Sequence, residues 1–195
     1  PRGTEAAAHA TRQCIAGLQP GHGLLKLDFN NAFNTIRRDA LFDAVRQELP
    51  ELYPFVYMCY KDMSLLNFGE HLLQSDEGVQ QGDPLGPLLY CASTMKLVRS
   101  MTSELNLWYL DDGTIGGELH DLLHDLDTVR RVGRTIGLLL SEVKCEIITN
   151  DDSVVSSFRA VMPNILHTRG NDAVLLGAPI GDQSAIDNVL QSKLT

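Results

Sequence analysis

The stretch LNLWYLDDGTIGG, residues 105–117, alternates apolar and polar side chains up to two adjacent aspartates, Asp111 and Asp112. Alternation with a period of two is typical of a β-strand with one packed face. The stretch therefore predicts a hairpin that turns at Gly113, with Asp111 fixed on a rigid strand rather than on a mobile loop. Asp-Gly is also an ordinary turn dipeptide, and taken alone it predicts only a solvated turn.

A second aspartate stands at the end of another predicted strand. In LLKLDF, residues 24–29, the alternation places Lys26 and Asp28 on one face, with Asp28 at the open end. If this strand lies beside the hairpin, Asp28 and Asp111 converge. Clustered carboxylates imply a shared proton or a cation, and oxygen ligands favour Mg²⁺ or Mn²⁺. Two such ions about 3.5–4 Å apart stabilise the attacking and leaving oxygens of a phosphoryl displacement.

The remaining patterns predict an α+β fold, an antiparallel sheet with helices packed on one face. Helices are expected at residues 4–18, 38–49, 51–63 and 119–136, and one more from an Asp83 N-cap with Pro84 first to about Met101. A hairpin through Gly69 and Glu70 and strands within residues 143–149 and 173–181 complete the set.

Composition indicates one well-packed domain, since 44% of the 195 residues are hydrophobic and 21% are charged. The longest apolar runs are far shorter than a membrane span, and no signal peptide precedes them, so we expect an intracellular protein without a membrane partner, in the nucleus or the cytoplasm. The four cysteines lack metal-type spacing and predict reduced thiols. A net charge of −9 argues against nucleic acid as a partner unless the phosphate-binding surface lies elsewhere.

Four ordered motifs resemble those of the reverse transcriptase palm. YLDD within the opening stretch resembles motif C, LKLDFNNAFN (residues 25–34) motif A, EGVQQGDPLGPLLY (77–90) motif B and GLLLSEVKCEII (137–148) motif D. LLGAPIG (175–181) resembles the primer-grip region. The wording is most similar to reverse transcriptases of non-LTR (LINE-type) retrotransposons. The resemblance implies an RNA-directed DNA polymerase that transfers deoxynucleotides to a primer 3′-hydroxyl with two Mg²⁺ or Mn²⁺ ions.

The resemblance also assigns the catalytic residues. Asp28 and Asp111 would hold the metals, and Asp112 would support the site with less direct contact. Lys144 would protonate the departing pyrophosphate as general acid. A lysine on a strand is otherwise a solvated edge residue, and Ser141 stands where close relatives often carry Asn.

Further residues are implied in nucleotide and primer binding. Phe33 would exclude a 2′-hydroxyl by collision, unless it is a core residue, and the backbone amides of Asn31 and Ala32 would face the triphosphate. Gln81 and Gly82 would lie near the nucleotide or the template base, and Tyr109 and Leu110 near the primer end. Each of these residues could instead be an ordinary loop or core residue.

The match to the palm motifs leaves little room in this chain for basic fingers or a thumb. If those segments carry the phosphate-binding surface, an acidic palm is compatible with an RNA template and a DNA primer as partners. We therefore predict a helical remnant at 1–20, the palm at 21–181 and a truncated tail at 182–195, all from a larger polyprotein with fingers, thumb and possible endonuclease segments. Two alternatives stay open. One is a catalytically silent remnant that serves as a nucleic-acid or protein interaction module. The other is an RNA-directed RNA polymerase palm, although Leu110 and Phe33 favour deoxynucleotides.

Overall fold

Helices and strands follow one another in the order expected of an α+β fold. The computed structural model describes residues 3–80, 82–181, 187 and 191. Its elements in chain order are α1 (Gly3–Ala16), β1 (His22–Leu27), α2 (Ala32–Thr35), α3 (Arg38–Glu48), α4 (Tyr53–Tyr60), β2 (Ser64–Phe68), β3 (His71–Ser75), α5 (Gly86–Arg99), β4 (Leu105–Tyr109), β5 (Asp112–Glu118), α6 (Leu119–Thr135), β6 (Glu146–Ile148), α7 (Asp152–Val161), β7 (Leu166–Thr168), β8 (Val174–Leu175) and β9 (Ala178–Pro179).

The chain divides into two compact units that interleave along the sequence. The first unit comprises Pro1–Asp28, Thr102–Asp127 and Leu140–Thr195, and the second comprises Phe29–Met101 and Thr128–Leu139. Within the described part of the chain, each helix is too short or too polar to traverse a lipid bilayer.

The first unit is built on a five-stranded sheet with the strand order β4-β5-β1-β6-β7. All neighbouring pairs are antiparallel except β6 and β7. Strand β1 lies at the centre, and its residues Leu24 and Leu25 are both fully buried although they point to opposite faces. The end of β1 is therefore held by packing on both sides of the sheet, which fixes the position of the aspartate that follows it.

A cluster of apolar residues from distant parts of the sequence covers the Leu24 face. Its buried members are Leu24, Ile148, Ala173, Leu175 and Ile180, and partly buried residues of α1 pack against them. Burying one Leu or Ile side chain fully contributes about 1.5–3 kcal/mol. This cluster joins the β8–β9 hairpin to the central strand.

The second unit contains α3, α4, α5 and the β2–β3 hairpin. Strands β2 and β3 pair through Phe68 and His71 and close at Gly69-Glu70, as predicted. Helix α5 begins at Gly86, and the prediction that Pro84 opens it is wrong. The Asp83 carboxylate accepts hydrogen bonds from the Leu85 amide at 2.8 Å and from the Tyr60 hydroxyl, which keeps residues 83–85 in a turn.

The hairpin of β4 and β5 turns one step earlier than predicted. Tyr109 pairs with Asp112, so the two-residue turn is Leu110-Asp111 and Gly113 lies inside β5, opposite Trp108. A Cβ atom on Gly113 would come within 2.8 Å of the Trp108 ring. Gly113 thus makes room for the indole across the strand pair and does not form the turn.

Candidate active site

Asp28 and Asp112 lie at the same end of two neighbouring strands, β1 and β5, of the central sheet. Strand β1 pairs with β5 in a register that ends with Leu27 opposite Gly113, so the next residues along each strand are these two aspartates. Two carboxylates from distant parts of the sequence thereby face one another at adjacent strand ends. The structure places Asp112 beside Asp28. Asp111 lies in the turn between β4 and β5, so the prediction that it is fixed on a strand is wrong, and its direct metal contact remains a prediction.

A cavity of about 170 Å³ opens between these strand ends. Acidic and basic side chains line this cavity, together with two leucines of the β8–β9 hairpin. The lining residues are Lys26, Leu27, Asp28, Asp112, Gly113, Thr114, Lys144, Leu175 and Leu176. Three predicted catalytic residues, Asp28, Asp112 and Lys144, therefore share one cavity.

The turn before β6 brings Lys144 to Asp28. The Ser141 amide donates to the Asp28 carbonyl at 2.8 Å, and the Lys144 amide donates to the Ser141 carbonyl at 2.8 Å. The Lys144 Nζ atom lies 3.6 Å from Asp28 Oδ1. Lys144 thus stands in a turn tied to the aspartate's backbone, and the expectation that it lies on a strand is wrong.

The charges around Asp112 are only partly balanced. Partial burial raises the pKa of the Asp112 carboxyl, as do the charges of Asp111 and Asp28, while Lys26 lowers it. Lys26 is held by an ion pair with Glu146, with 2.6 Å between Nζ and Oε2, across the β1–β6 pair. The site therefore carries excess negative charge.

Two leucines at hairpin tips adopt left-handed backbone conformations. Leu110 has φ 57° in the β4–β5 turn, and Leu176 has φ 48° in the β8–β9 turn beside the cavity. A non-glycine residue in this region costs about 1–2 kcal/mol, and such strain concentrates at functional sites. Each leucine lies in the turn between two antiparallel strands.

The residues present fit a divalent cation that a substrate helps to bind. Asp28 Oδ1 is shielded from solvent and has no hydrogen-bond partner among the described residues. In that same part of the chain, no three His, Cys, Asp or Glu side chains are grouped closely enough to hold an ion on their own. Mg²⁺ is commonly held by one or two carboxylates together with substrate phosphates and water, which matches this donor set.

The predicted nucleotide-binding residues belong to the second unit. Asn31 precedes α2 with φ 50°, Ala32 is buried, and Phe33 stacks on Tyr90 with 4.4 Å between ring centroids. Gly82 is exposed in the loop before α5. Gln81 lies outside the described residues, and its role stays a prediction.

The predicted primer contacts lie on the β4–β5 hairpin. Tyr109 ends β4 with 51% of its surface exposed, and Leu110 follows in the turn. Lys26 and Leu176 lie within two of the quoted motifs, which assigned them no role. Lys26 shares a strand face with Asp28, so the alternation carried a usable signal. The position of Leu176 depends on packing between distant segments and left no local signal.

The sheet with its acidic hairpin has the fold of a polymerase palm. A structure of telomerase from Candida tropicalis, in complex with the TWJ fragment of telomeric RNA, aligns with a TM-score of 0.55 and 16% identity over 76% of this chain and 30% of that chain. Apo telomerase from the same organism, truncated from its C-terminal domain, aligns with a TM-score of 0.55 and 15% identity over 74% and 35%. At these identities the likeness concerns the fold alone.

Residues 2–173 match the family described as reverse transcriptase (RNA-dependent DNA polymerase). The chain belongs to this family, which favours a DNA polymerase over the RNA polymerase alternative. A retrotransposable element SLACS 132 kDa protein from Trypanosoma brucei gambiense is 27% identical over 136 residues, which cover 64% of this chain and 12% of that protein. The chain thus spans a small part of that relative's length.

Proposed function

We propose that this chain is the catalytic palm of a longer reverse transcriptase that copies RNA into DNA, and that it comes from a non-LTR retrotransposon. The observation that carries the proposal is the convergence of Asp28 and Asp112 on one cavity in a chain of the reverse transcriptase family. The wording of the motifs and the retrotransposable-element relative support the origin.

The proposed chemistry is the attack of a primer 3′-oxygen on the α-phosphate of a deoxynucleoside triphosphate, with pyrophosphate leaving. Asp28, Asp112 and Asp111 would hold two Mg²⁺ or Mn²⁺ ions. Such ions supply charge stabilisation for the attacking and leaving oxygens. The carboxylates at two strand ends and in the tight turn would hold these ions at the site.

Lys144 would serve the leaving group. Its ammonium lies 3.6 Å from Asp28 Oδ1 and its side chain is 65% exposed, so the ammonium can turn toward a bound triphosphate. Donation of its proton to pyrophosphate would leave a neutral amine, and solvent would restore the proton. Its attachment through the Ser141 turn would keep the proton donor close to the metal-binding carboxylates.

The acidic net charge fits a palm that works with partners elsewhere in a longer protein. In this proposal residues 21–181 form the palm, residues 1–20 lead in from the fingers and residues 182–195 lead toward the thumb. The template RNA, the DNA primer and the triphosphate tail would be gripped largely by basic surfaces of those other segments, since nucleic-acid affinity depends on neutralising phosphates.

We expect Phe33→Val to relax the choice of sugar. Phe33 stacks on the buried Tyr90, which fixes the ring, and a smaller side chain would leave space for a 2′-hydroxyl. Primer extension on an RNA template by the full-length protein should show ribonucleotide incorporation raised by at least about tenfold relative to deoxynucleotide incorporation, a change of about 1.4 kcal/mol in discrimination.

Phe42→Val is the matched control, because Phe42 is also half-buried in the second unit and packs only against Tyr53 and Tyr57 among the described aromatic side chains. It should leave the sugar ratio unchanged. Equal use of both sugars by the unaltered protein would refute the role of Phe33. Complete absence of RNA-templated extension by the full-length protein would contradict the proposed function and favour a silent remnant.

A further inference from the structure

A buried arginine and a buried tyrosine tie together several backbone segments, one of which contacts Phe33. Arg38 is 8% exposed and Tyr60 is 2% exposed. Both belong to the second unit, at the start of α3 and the end of α4. The motifs assign neither residue a role.

The Arg38 guanidinium joins three separate segments. It donates to the carbonyls of Tyr60, Asp62 and Gly78 at 3.4, 3.3 and 3.5 Å, and to the Ser75 hydroxyl at 3.3 Å. Its Cζ atom also lies 5.5 Å from the centre of the Tyr60 ring. Among the described residues no carboxylate pairs with Arg38.

A buried cation without a carboxylate partner is a costly way to stabilise a fold. An apolar side chain of similar size would fill the same space without the desolvation penalty. The guanidinium instead offers five donors in a fixed plane, which hold several carbonyls in one geometry. Its arrangement is therefore suited to positioning backbone.

The Tyr60 hydroxyl connects the same segment to the loop before α5. It donates to the Asp83 carboxylate and accepts from the Gln80 amide at 3.3 Å. Burial raises the pKa of Tyr60, and the bond to Asp83 raises it further, so the hydroxyl remains a donor across the physiological range. Residues 78–80 are thus held between Arg38 and Tyr60.

Residues 78–80 in turn contact the Phe33 segment through backbone hydrogen bonds. The Val79 amide donates to the Phe33 carbonyl at 2.7 Å, and the Gly78 amide donates to the Ile36 carbonyl at 2.9 Å. A Cβ atom on Gly78, which has φ +72°, would lie 2.4 Å from the Asn34 carbonyl oxygen. The two backbone segments approach so closely at Gly78 that a shift of residues 78–80 would displace the Phe33 backbone as well.

We propose that Arg38 and Tyr60 are positioning residues for nucleotide selection. They hold residues 78–80 against Phe33, and Phe33 then meets the sugar of the incoming deoxynucleoside triphosphate at a fixed distance. The inference rests on the proposed function of Phe33 and extends it to residues that touch no substrate.

Tyr60→Phe tests this inference, because it removes one hydroxyl and keeps the ring beneath Arg38. In the 195-residue chain, hydrogen exchange at the Val79 amide should accelerate by about tenfold. In the full-length protein, the preference for deoxynucleotides over ribonucleotides should fall by about 3- to 10-fold, mainly through a higher KM for the deoxynucleotide. The preference is a ratio, so a loss of folded protein alone would not change it.

Tyr57→Phe is the control, since Tyr57 lies on the same helix with 45% of its surface exposed and its hydroxyl has no hydrogen bond to the described part of residues 78–85. Both quantities should stay unchanged in this control. Unaltered Val79 exchange in Tyr60→Phe would overturn the inference, as would an unaltered sugar preference in an active protein. Failure of the unaltered protein to extend a primer would instead contradict the proposed function, and the inference would fall with it.

Discussion

Replacement of Asp28 by Asn is expected to lower RNA-templated primer extension by at least about 10³-fold, since loss of metal-centred charge stabilisation is worth several kcal/mol. Asp112→Asn should have an effect of the same order, because its carboxylate faces Asp28 across β1 and β5. Neither change should unfold the protein. Asp28 Oδ1 has no hydrogen-bond partner among the described residues, so Asn at this position breaks no hydrogen bond of that oxygen. Asp112 is exposed and lies beside the negative charges of Asp111 and Asp28, so removing its charge reduces repulsion.

Asp127→Asn is the matched control for both variants, because Asp127 is an exposed aspartate on α6 of the same unit. Extension should be measured at saturating deoxynucleotide and Mg²⁺, with thermal unfolding recorded in parallel. An Asp28→Asn protein that keeps more than about a tenth of the activity would show that this carboxylate does not hold a catalytic ion.

Asp125→Ala is expected to lower the free energy of unfolding by about 3 kcal/mol. The Asp125 carboxylate is fully buried and accepts from the amides of Thr102 and Ser103 at 2.8–3.0 Å and from both of their hydroxyls. Its removal would leave the buried amide and hydroxyl of Ser103 without this acceptor just before β4. The strand that carries the acidic hairpin would lose the anchor at its start.

The Asp125 contribution also has a defined pH dependence. Burial by itself raises the pKa of this carboxyl, but the hydrogen bonds from Ser103 and Thr102 outweigh it and the net shift is downward. A folded pKa below the unfolded value of about 3.9 gives stability that is complete above that value and is lost as pH falls through the folded pKa. The gap in unfolding free energy between the unaltered protein and Asp125→Ala should therefore narrow below about pH 4.

Urea unfolding at a series of pH values measures both effects, with Asp127→Ala as the control for removing an aspartate from α6. The control should change the free energy of unfolding by less than about 0.5 kcal/mol. A gap below about 1 kcal/mol at neutral pH, or a gap that stays constant into acid, would argue against the Asp125 network as a major stabilising feature.

Local patterns were sufficient for much of the fold. Alternation predicted β1 and the β4–β5 hairpin, the spacing of Leu41 and Val45 predicted α3, and Gly69-Glu70 predicted the β2–β3 turn. Each depends on neighbours within a few residues. The α+β class followed from the order of these elements.

Features that depend on distant contacts were not predicted. The turn at Leu110-Asp111 follows from the need of Gly113 to accommodate Trp108 on the opposite strand. Helix α7 and strand β7 were not predicted, although Asp151 caps the helix by accepting from the Ser153 amide at 2.8 Å. An Asp-x-Ser cap is a local signal that could have located the start of α7.

The candidate site likewise combines features that local sequence predicts with features that depend on distant contacts. Motif resemblance selected Asp28, Asp112 and Lys144, and the structure groups these three around one cavity. The presence of Leu176 in the cavity wall depends on the packing of the β8–β9 hairpin against Leu24, which local sequence does not indicate. Pairing of Asp28 with Asp112 required the register of β1 and β5, which is set by burial along both strands and is not encoded near either aspartate.

The decisive measurement is Mn²⁺ binding to the full-length protein with a deoxynucleoside triphosphate present, followed by electron paramagnetic resonance of the protein-bound ion, because the carboxylates are proposed to hold the ion together with substrate phosphates. We expect measurable binding that weakens by at least about tenfold in Asp28→Asn and in Asp112→Asn, and that is unchanged in Asp127→Asn. Equal Mn²⁺ affinity in all four proteins would contradict the claim that these strand-end carboxylates hold the catalytic ions.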